Sequence, residues 1–136
     1  MNGFLIDPVK QSIEVIALPS GGYLLLKESI ARHIECSNFL FQEEFDNMDV
    51  IAVDSMGHRA PKNWPFKITE KGMVFGRALI LGTNRLAGVL ISPGTSIEGL
   101  QRMVEFFPFN KCREVKRKLE GSPSLVRPIG FVPSFQ

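Results

Sequence analysis

Cysteine, tryptophan, tyrosine and histidine are all scarce in this sequence, with two Cys, one Trp, one Tyr and two His in 136 residues. Cys36 and Cys112 are too few for the disulfide framework of a secreted mini-protein, so both read as buried thiols in a reducing compartment. No apolar run is long enough to span a membrane. The opening Met1-Asn2-Gly3-Phe4-Leu5-Ile6-Asp7 has no basic stretch and meets an acid and a proline too early for a secretion signal. A soluble, cytoplasmic protein without membrane contact is the expectation. Close paired spacing of metal ligands is also missing. His33 and Cys36 are a lone pair on one predicted helical turn, so no metal and no cofactor is expected. Neither Gly21-Gly22 nor Gly72 with Gly76 has the Lys-Ser/Thr ending or the GxGxxG spacing that brings amides onto a phosphate.

What is present is apolar bulk. Hydrophobic residues make up 44% of the chain, and eleven Phe accompany the single Tyr and Trp. That content suits one compact domain that buries roughly two thirds of the surface its unfolded form exposes. The aromatic balance assigns most Phe rings to the core, away from the Tyr- and Trp-rich surfaces of dedicated binding sites. Short β-branched runs over 4–7 and 12–18, parted by a turn at Pro8, predict a hairpin. Ser20-Gly21-Gly22 supplies a loop and a candidate N-cap, after which Leu26, Ile30 and Ile34 recur at helical spacing. Residues 38–42 and 49–54 read as two further strands. Pro61, Trp64 and Pro65 impose an extended path with a short strand over 66–68. The glycine-bounded run over 76–82, turning at Thr83-Asn84-Arg85 into a partner over 86–92, predicts a central strand pair.

Two helices follow. Thr95-Ser96-Ile97-Glu98 has the capping-box pattern, and Ile97, Leu100, Val104 and Phe107 continue at helical period until Pro108. A last helix over 111–119 aligns Cys112, Val115 and Leu119 inward and leaves Arg113, Lys116 and Arg117 outward. An extended, Pro-containing ending is expected after it. The fold class that results is α+β, a single domain with an antiparallel or mixed sheet of five to seven strands and two to three helices mainly on one face. Residues 1–109 form the core, and residues 110–136 a basic extension docked on it.

Charge is segregated along the chain. Residues 110–127 carry Lys111, Arg113, Lys116, Arg117, Lys118 and Arg127 against Glu114 and Glu120, a local balance of +4 in a chain of net charge +2. The acids Glu43, Glu44, Asp46, Asp49 and Asp54 fall in a stretch, 36–57, without Lys or Arg. Two contact faces follow: a basic one (Lys111, Arg113, Lys116, Arg117) and an acidic edge (Glu43, Glu44, Asp46, Asp49). The basic helix would give salt-dependent nucleic-acid binding, but no exposed aromatic is evident to stack bases, and a plain solvated face is the simpler reading. Polar loops at Thr83, Asn84, Arg85 and at Thr95, Ser96 form a candidate ligand or nucleotide site, with a plain helix cap as the simpler reading. No catalytic residue stands out. His33 reads as a packed or helix-end histidine. His58, close after Asp54, is the best candidate base, against a solvated turn residue as the simpler reading.

Four motifs occur in a recognisable order: Phe4-Leu5-Ile6-Asp7-Pro8; Asp49-Val50-Ile51-Ala52-Val53-Asp54 with Gly57; Gly76-Arg77-Ala78-Leu79-Ile80-Leu81-Gly82; and Ile97-Glu98-Gly99-Leu100. Over roughly residues 3–107 the chain resembles a group of small proteins of unknown function carried by phages, plasmids and other mobile elements. The shared motifs are fold-defining glycines and apolar strands, so the resemblance lends no catalytic residue. It implies an accessory protein. A non-catalytic binder that blocks a host defence protein is the expected function, with sequestration of a small ligand or nucleotide, or nucleic-acid binding, as alternatives.

Overall fold

The computed structural model describes residues 1–20, 22–43, 45–123, 126 and 129. Gly21, Glu44, the side chain of Glu43 and most of the ending expected to be extended lie outside the described residues. β1 (Asn2–Asp7) and β2 (Ser12–Ala17) form the opening hairpin. Asp7 holds its turn, Oδ1 accepting from the amides of Val9 at 2.9 Å and Lys10 at 3.2 Å, the local bonding that makes aspartate a turn former. α1 (Tyr23–Ile34) buries Ile30 and Ile34, starts at Gly22 with no side-chain cap, and ends at Glu35 with a left-handed φ of 61°. There the amides of Glu35 and Cys36 donate to the carbonyls of Arg32 and Ala31, which closes the last turn. β3 (Phe39–Glu43) and β4 (Val50–Asp54) come next, then a 3-10 turn at Gly57–Arg59. β5 (Pro65–Ile68), β6 (Gly72–Phe75), β7 (Ala78–Asn84) and β8 (Val89–Ile91) lead to α2 (Ile97–Met103), β9 (Val104–Phe106) and α3 (Phe109–Lys118).

Among the described residues all strand pairings are antiparallel, in two sheets. The larger has the order β2-β1-β7-β4-β3 with β8 on the end of β7, and the smaller the order β6-β5-β9. The α+β class expected from the sequence is the one observed. Alternation along the central strands explains the layering. Ile80 of β7, Ile51 and Val53 of β4 and Ile6 of β1 face Phe66, Ile68, Val74 and Leu100 of the smaller sheet and α2. Leu79 and Leu81, Val50 and Ala52, and Leu5 face Ile30 and Ile34 of α1. The larger sheet is therefore apolar on both faces, and β4 is buried along its whole length.

Several expectations change. The helix predicted to run on to Pro108 ends at Met103, where the Met103 carbonyl accepts from the Thr69 amide at 2.8 Å and hydroxyl at 3.0 Å. Val104 and Phe106 then pair with Ile68 and Phe66 as β9. An unfilled strand edge outweighed a helical period that both elements could satisfy. α2 is capped one residue later than expected, by the Ser96 hydroxyl accepting from the Gly99 amide at 3.0 Å. β6 pairs with β5 over residues 72–75, for which the sequence predicts no element. β7 is central, but its expected central partner is only the short β8, and the turn falls after Asn84, whose side chain accepts from Ala87 at 3.1 Å. Gly82 permits this pairing, since a Cβ there would lie 2.4 Å from the Ser92 carbonyl oxygen.

Candidate functional site

Residues 60–65 form the platform on which α3 rests, and its hub is Asn63, 2% exposed. Its Nδ2 donates to Asp54 Oδ2 at 3.0 Å and to the Gly57 carbonyl at 2.9 Å. A Cβ on Gly76 (φ 88°) would fall 2.5 Å from Asn63 Oδ1. Glycine at 76 is what lets the β7 approach pass over this amide. α3 attaches through Cys112, buried with Sγ 3.7 Å from the Pro65 and Phe107 carbonyls. Lys116 completes the attachment. Its Nζ donates to the carbonyls of Ala60 at 2.6 Å, Asn63 at 2.9 Å and Pro61 at 3.1 Å. Lys116 therefore does not belong to the outward basic face assigned from its spacing: a long side chain can leave the face of its own Cα and bury its stem. Burial pulls its ammonium below the usual lysine value.

The outward side of α3 retains Lys111, Arg113 and Arg117, all exposed. Lys118 is paired with Glu114 at 3.0 Å, and that hydrogen bond, with the Lys118 charge, lowers the Glu114 pKa. An aromatic lies among them. Phe109 is 62% exposed, with its ring 4.7 Å from that of Trp64, and the Arg113 guanidinium stands 5.4 Å over its centroid. Lys111 likewise lies 5.5 Å over the Phe107 ring. Sequence reasoning missed this pair by assigning Phe to the core and finding no exposed aromatic. The signal available was position: Phe109 follows Pro108 and opens a helix whose inward face begins only at Cys112. A groove of about 620 Å³ runs beside it, lined by Trp64, Asn110, Arg113, Arg117, Glu114 and Glu120.

Of the acidic edge, Asp49 and Asp46 are described, one turned inward and the other outward. Asp49, 2% exposed, faces inward, with Oδ1 accepting from the Gly94 amide and Oδ2 from the Thr95 amide, both at 2.9 Å. A carboxylate buried on two amides is satisfied and unavailable to a partner. Asp46 is exposed, with Lys71 Nζ 3.9 Å away. Glu44 and the Glu43 side chain lie outside the described residues.

The two polar loops do converge, on the same 47–49 turn that holds Asp49. The Thr83 hydroxyl donates to the Met48 carbonyl at 2.7 Å, and Asn47 Nδ2 donates to Thr95 Oγ1 at 3.0 Å. With Ser96 capping α2 and Asn84 closing its own turn, these side chains hold the loops together. Arg85 is exposed and also has a partner.

Neither reading of His58 survives. The residue is 6% exposed, which removes the solvated turn, and neither ring nitrogen has a hydrogen-bond partner among the described residues, Asp54 included, which removes that pairing. Asp54 is occupied by Asn63 and by the Met56 amide at 2.9 Å. The His58 ring instead packs edge-on against Phe75, centroids 5.7 Å apart. His33 is half-buried, and burial, then the charges of Arg32 and Arg77, lower its pKa. Cys36 is half-buried where full burial was expected. Burial and the Asp54 charge push its thiol up to about 11, so it is a poor nucleophile. Among the described residues no group of three or more His, Cys, Asp or Glu is placed to hold a metal, and no helix is long and apolar enough to cross a membrane. Comparison with protein-family models, curated proteins and solved structures gives no match.

Proposed function

We propose that the protein acts by binding another protein, without catalysis, and that the contact is made by the outward side of α3 together with Trp64. The observation that carries this reading is the exposed Phe109 ring, packed on Trp64 and overlaid by Arg113. Tryptophan and arginine are the residues most enriched at energetic centres of protein interfaces, and aromatics as a class are over-represented there. Lys111 and Arg117 beside them make a rim that suits an acidic partner surface. On the resemblance of residues 3–107 to mobile-element proteins, that partner is a component of host defence, which the protein inhibits.

A single-stranded nucleic acid also uses aromatic rings and arginines. Glu114 and Glu120 line the same groove, however, and among the described residues only Lys111, Arg113 and Arg117 of the α3 cations stay outward without an ion pair. That balance favours a protein. The test is affinity for the partner recovered from the natural host. Phe109→Ala and Arg113→Glu are each expected to weaken binding about 30-fold, the equivalent of about 2 kcal/mol. The binding reading of this face fails if both variants bind as the parent does. Saturable binding of a labelled single-stranded oligonucleotide, lost on Phe109→Ala and falling steeply with salt, would transfer the same face to nucleic acid.

A further inference from the structure

β2 stands at one edge of the larger sheet, and its open side lacks the devices that keep such an edge solitary. The strand Ser12-Ile13-Glu14-Val15-Ile16-Ala17 holds no Lys, Arg, Pro or Gly, and its register with β1 runs from Asn2↔Ala17 to Asp7↔Ser12 without a bulge. Val15 is 53% exposed, and Glu14 and Ala17 are exposed beside it. The opposite edge differs, because there the Ile129 amide donates to the Phe41 carbonyl of β3 at 3.0 Å. Which backbone groups of β2 face outward follows from its first pair. Met1 and Leu18 exchange two hydrogen bonds, the Leu18 amide donating to the Met1 carbonyl at 2.8 Å and the Met1 ammonium to the Leu18 carbonyl at 3.3 Å. Such pairs alternate along an antiparallel ladder, so Ile16, Glu14 and Ser12 turn their backbone groups toward β1. Ile13, Val15 and Ala17 turn theirs to the open side, where they meet no hydrogen-bond partner among the described residues.

These outward groups complement themselves. A two-fold axis perpendicular to the sheet keeps each face of β2 on the same side in both copies, so only residues that face alike can be paired. With the axis at Val15, Ile13 of one copy meets Ala17 of the other and Val15 meets Val15. Each of the three pairs then exchanges two hydrogen bonds, about six in all, and no outward group of the strand is left over. Glu14 lies opposite Ile16 in this register, and the two exposed Val15 side chains cover each other. An axis at Glu14 would set two carboxylates directly opposite, which is unfavourable. An axis at Ile16 would bring Pro19, which has no amide hydrogen, opposite Ile13. We infer that the protein pairs with a second copy of itself through β2, antiparallel and centred on Val15, so that the two larger sheets become one. This surface shares no residue with the α3 face.

Sedimentation equilibrium of the full chain from about 10 μM to about 1 mM tests the pairing, a range that spans moderate to weak self-association. A concentration-dependent dimer is expected. Val15→Lys, at an exposed position, sets like charges across the axis and is expected to weaken the dimer about tenfold, whereas Val15→Thr, still β-branched, keeps it. Amide exchange followed by NMR reads the register in the parent protein. The amides of Ile13, Val15 and Ala17 are expected to slow as concentration rises, while those of Glu14 and Ile16, bonded to β1, stay unchanged. A chain that remains monomeric at the highest concentration would overturn the proposal and leave the edge to a strand of another protein. So would a dimer that Val15→Lys leaves intact, or one in which the Ile13, Val15 and Ala17 amides exchange as fast as in dilute solution.

Discussion

Lys116 illustrates how far one side chain can depart from what its spacing implies. On a helical wheel it sits with Arg113 and Arg117, yet its ammonium ends among three backbone carbonyls of the 60–63 turn. Replacement by Met keeps the aliphatic stem and strands those carbonyls. Loss of a buried hydrogen-bond donor of this kind costs about 2 kcal/mol, so Lys116→Met is expected to lower the urea midpoint accordingly without changing the slope of the transition. Lys116→Arg should restore little. A planar guanidinium cannot point three donors at carbonyls that converge on one nitrogen. Asp49 and Asn63 belong to the same class: polar residues whose partners, Gly94 and Thr95 for one, Asp54 and Gly57 for the other, lie on distant segments or across a turn. Nothing in the neighbouring sequence marks them as buried.

Elements with a strong internal period were legible, and of the short ones β5 and β8 were placed while β6 and β9 were not. β1, β4 and β7 alternate between the two cores, and α1 repeats Leu26, Ile30 and Ile34, so each has a pattern that local sequence alone can carry. β6 and β9 have four and three residues, too few for a period to emerge, and they pair with the two edges of β5, whereas β8 falls inside the longer strand expected over 86–92. Val104 and Phe107 fit a helical repeat, and Val104 and Phe106 equally fit a strand. The pairing with β5 chose between them. The β7–β8 contact provides a sharp test. Gly82→Ala would place a methyl 2.4 Å from the Ser92 carbonyl oxygen, backbone that cannot rotate away. A loss of about 2 kcal/mol is expected, read as a lowered thermal or urea midpoint together with faster amide exchange across 89–91.

Taken over the whole chain, the charge segregation of the sequence does not become two opposed faces. Asp49 is turned inward onto amides, Lys116 onto carbonyls, and Lys118 is paired with Glu114. What remains outward on α3 is a small patch of Lys111, Arg113 and Arg117 around an exposed ring. α3 contributes Cys112 and Lys116 to the platform of residues 60–65, so removal of residues 110–136 is expected to destabilise the rest by more than Lys116→Met does alone. Thermal unfolding of the full chain and of residues 1–109 checks this. A truncated chain as stable as the full one would make residues 110–136 a separable extension. Composition and periodicity by themselves determined that this chain is α+β, that β7 is central and that Ile30 and Ile34 of α1 turn inward, because those properties follow from burying apolar side chains at regular intervals. Only the folded arrangement decided that Lys116 and Asp49 turn inward, that Phe109 lies open on Trp64, and that His58 is buried without a hydrogen-bond partner among the described residues. Each of those depends on groups far away in the chain, and a local pattern carries no information about them.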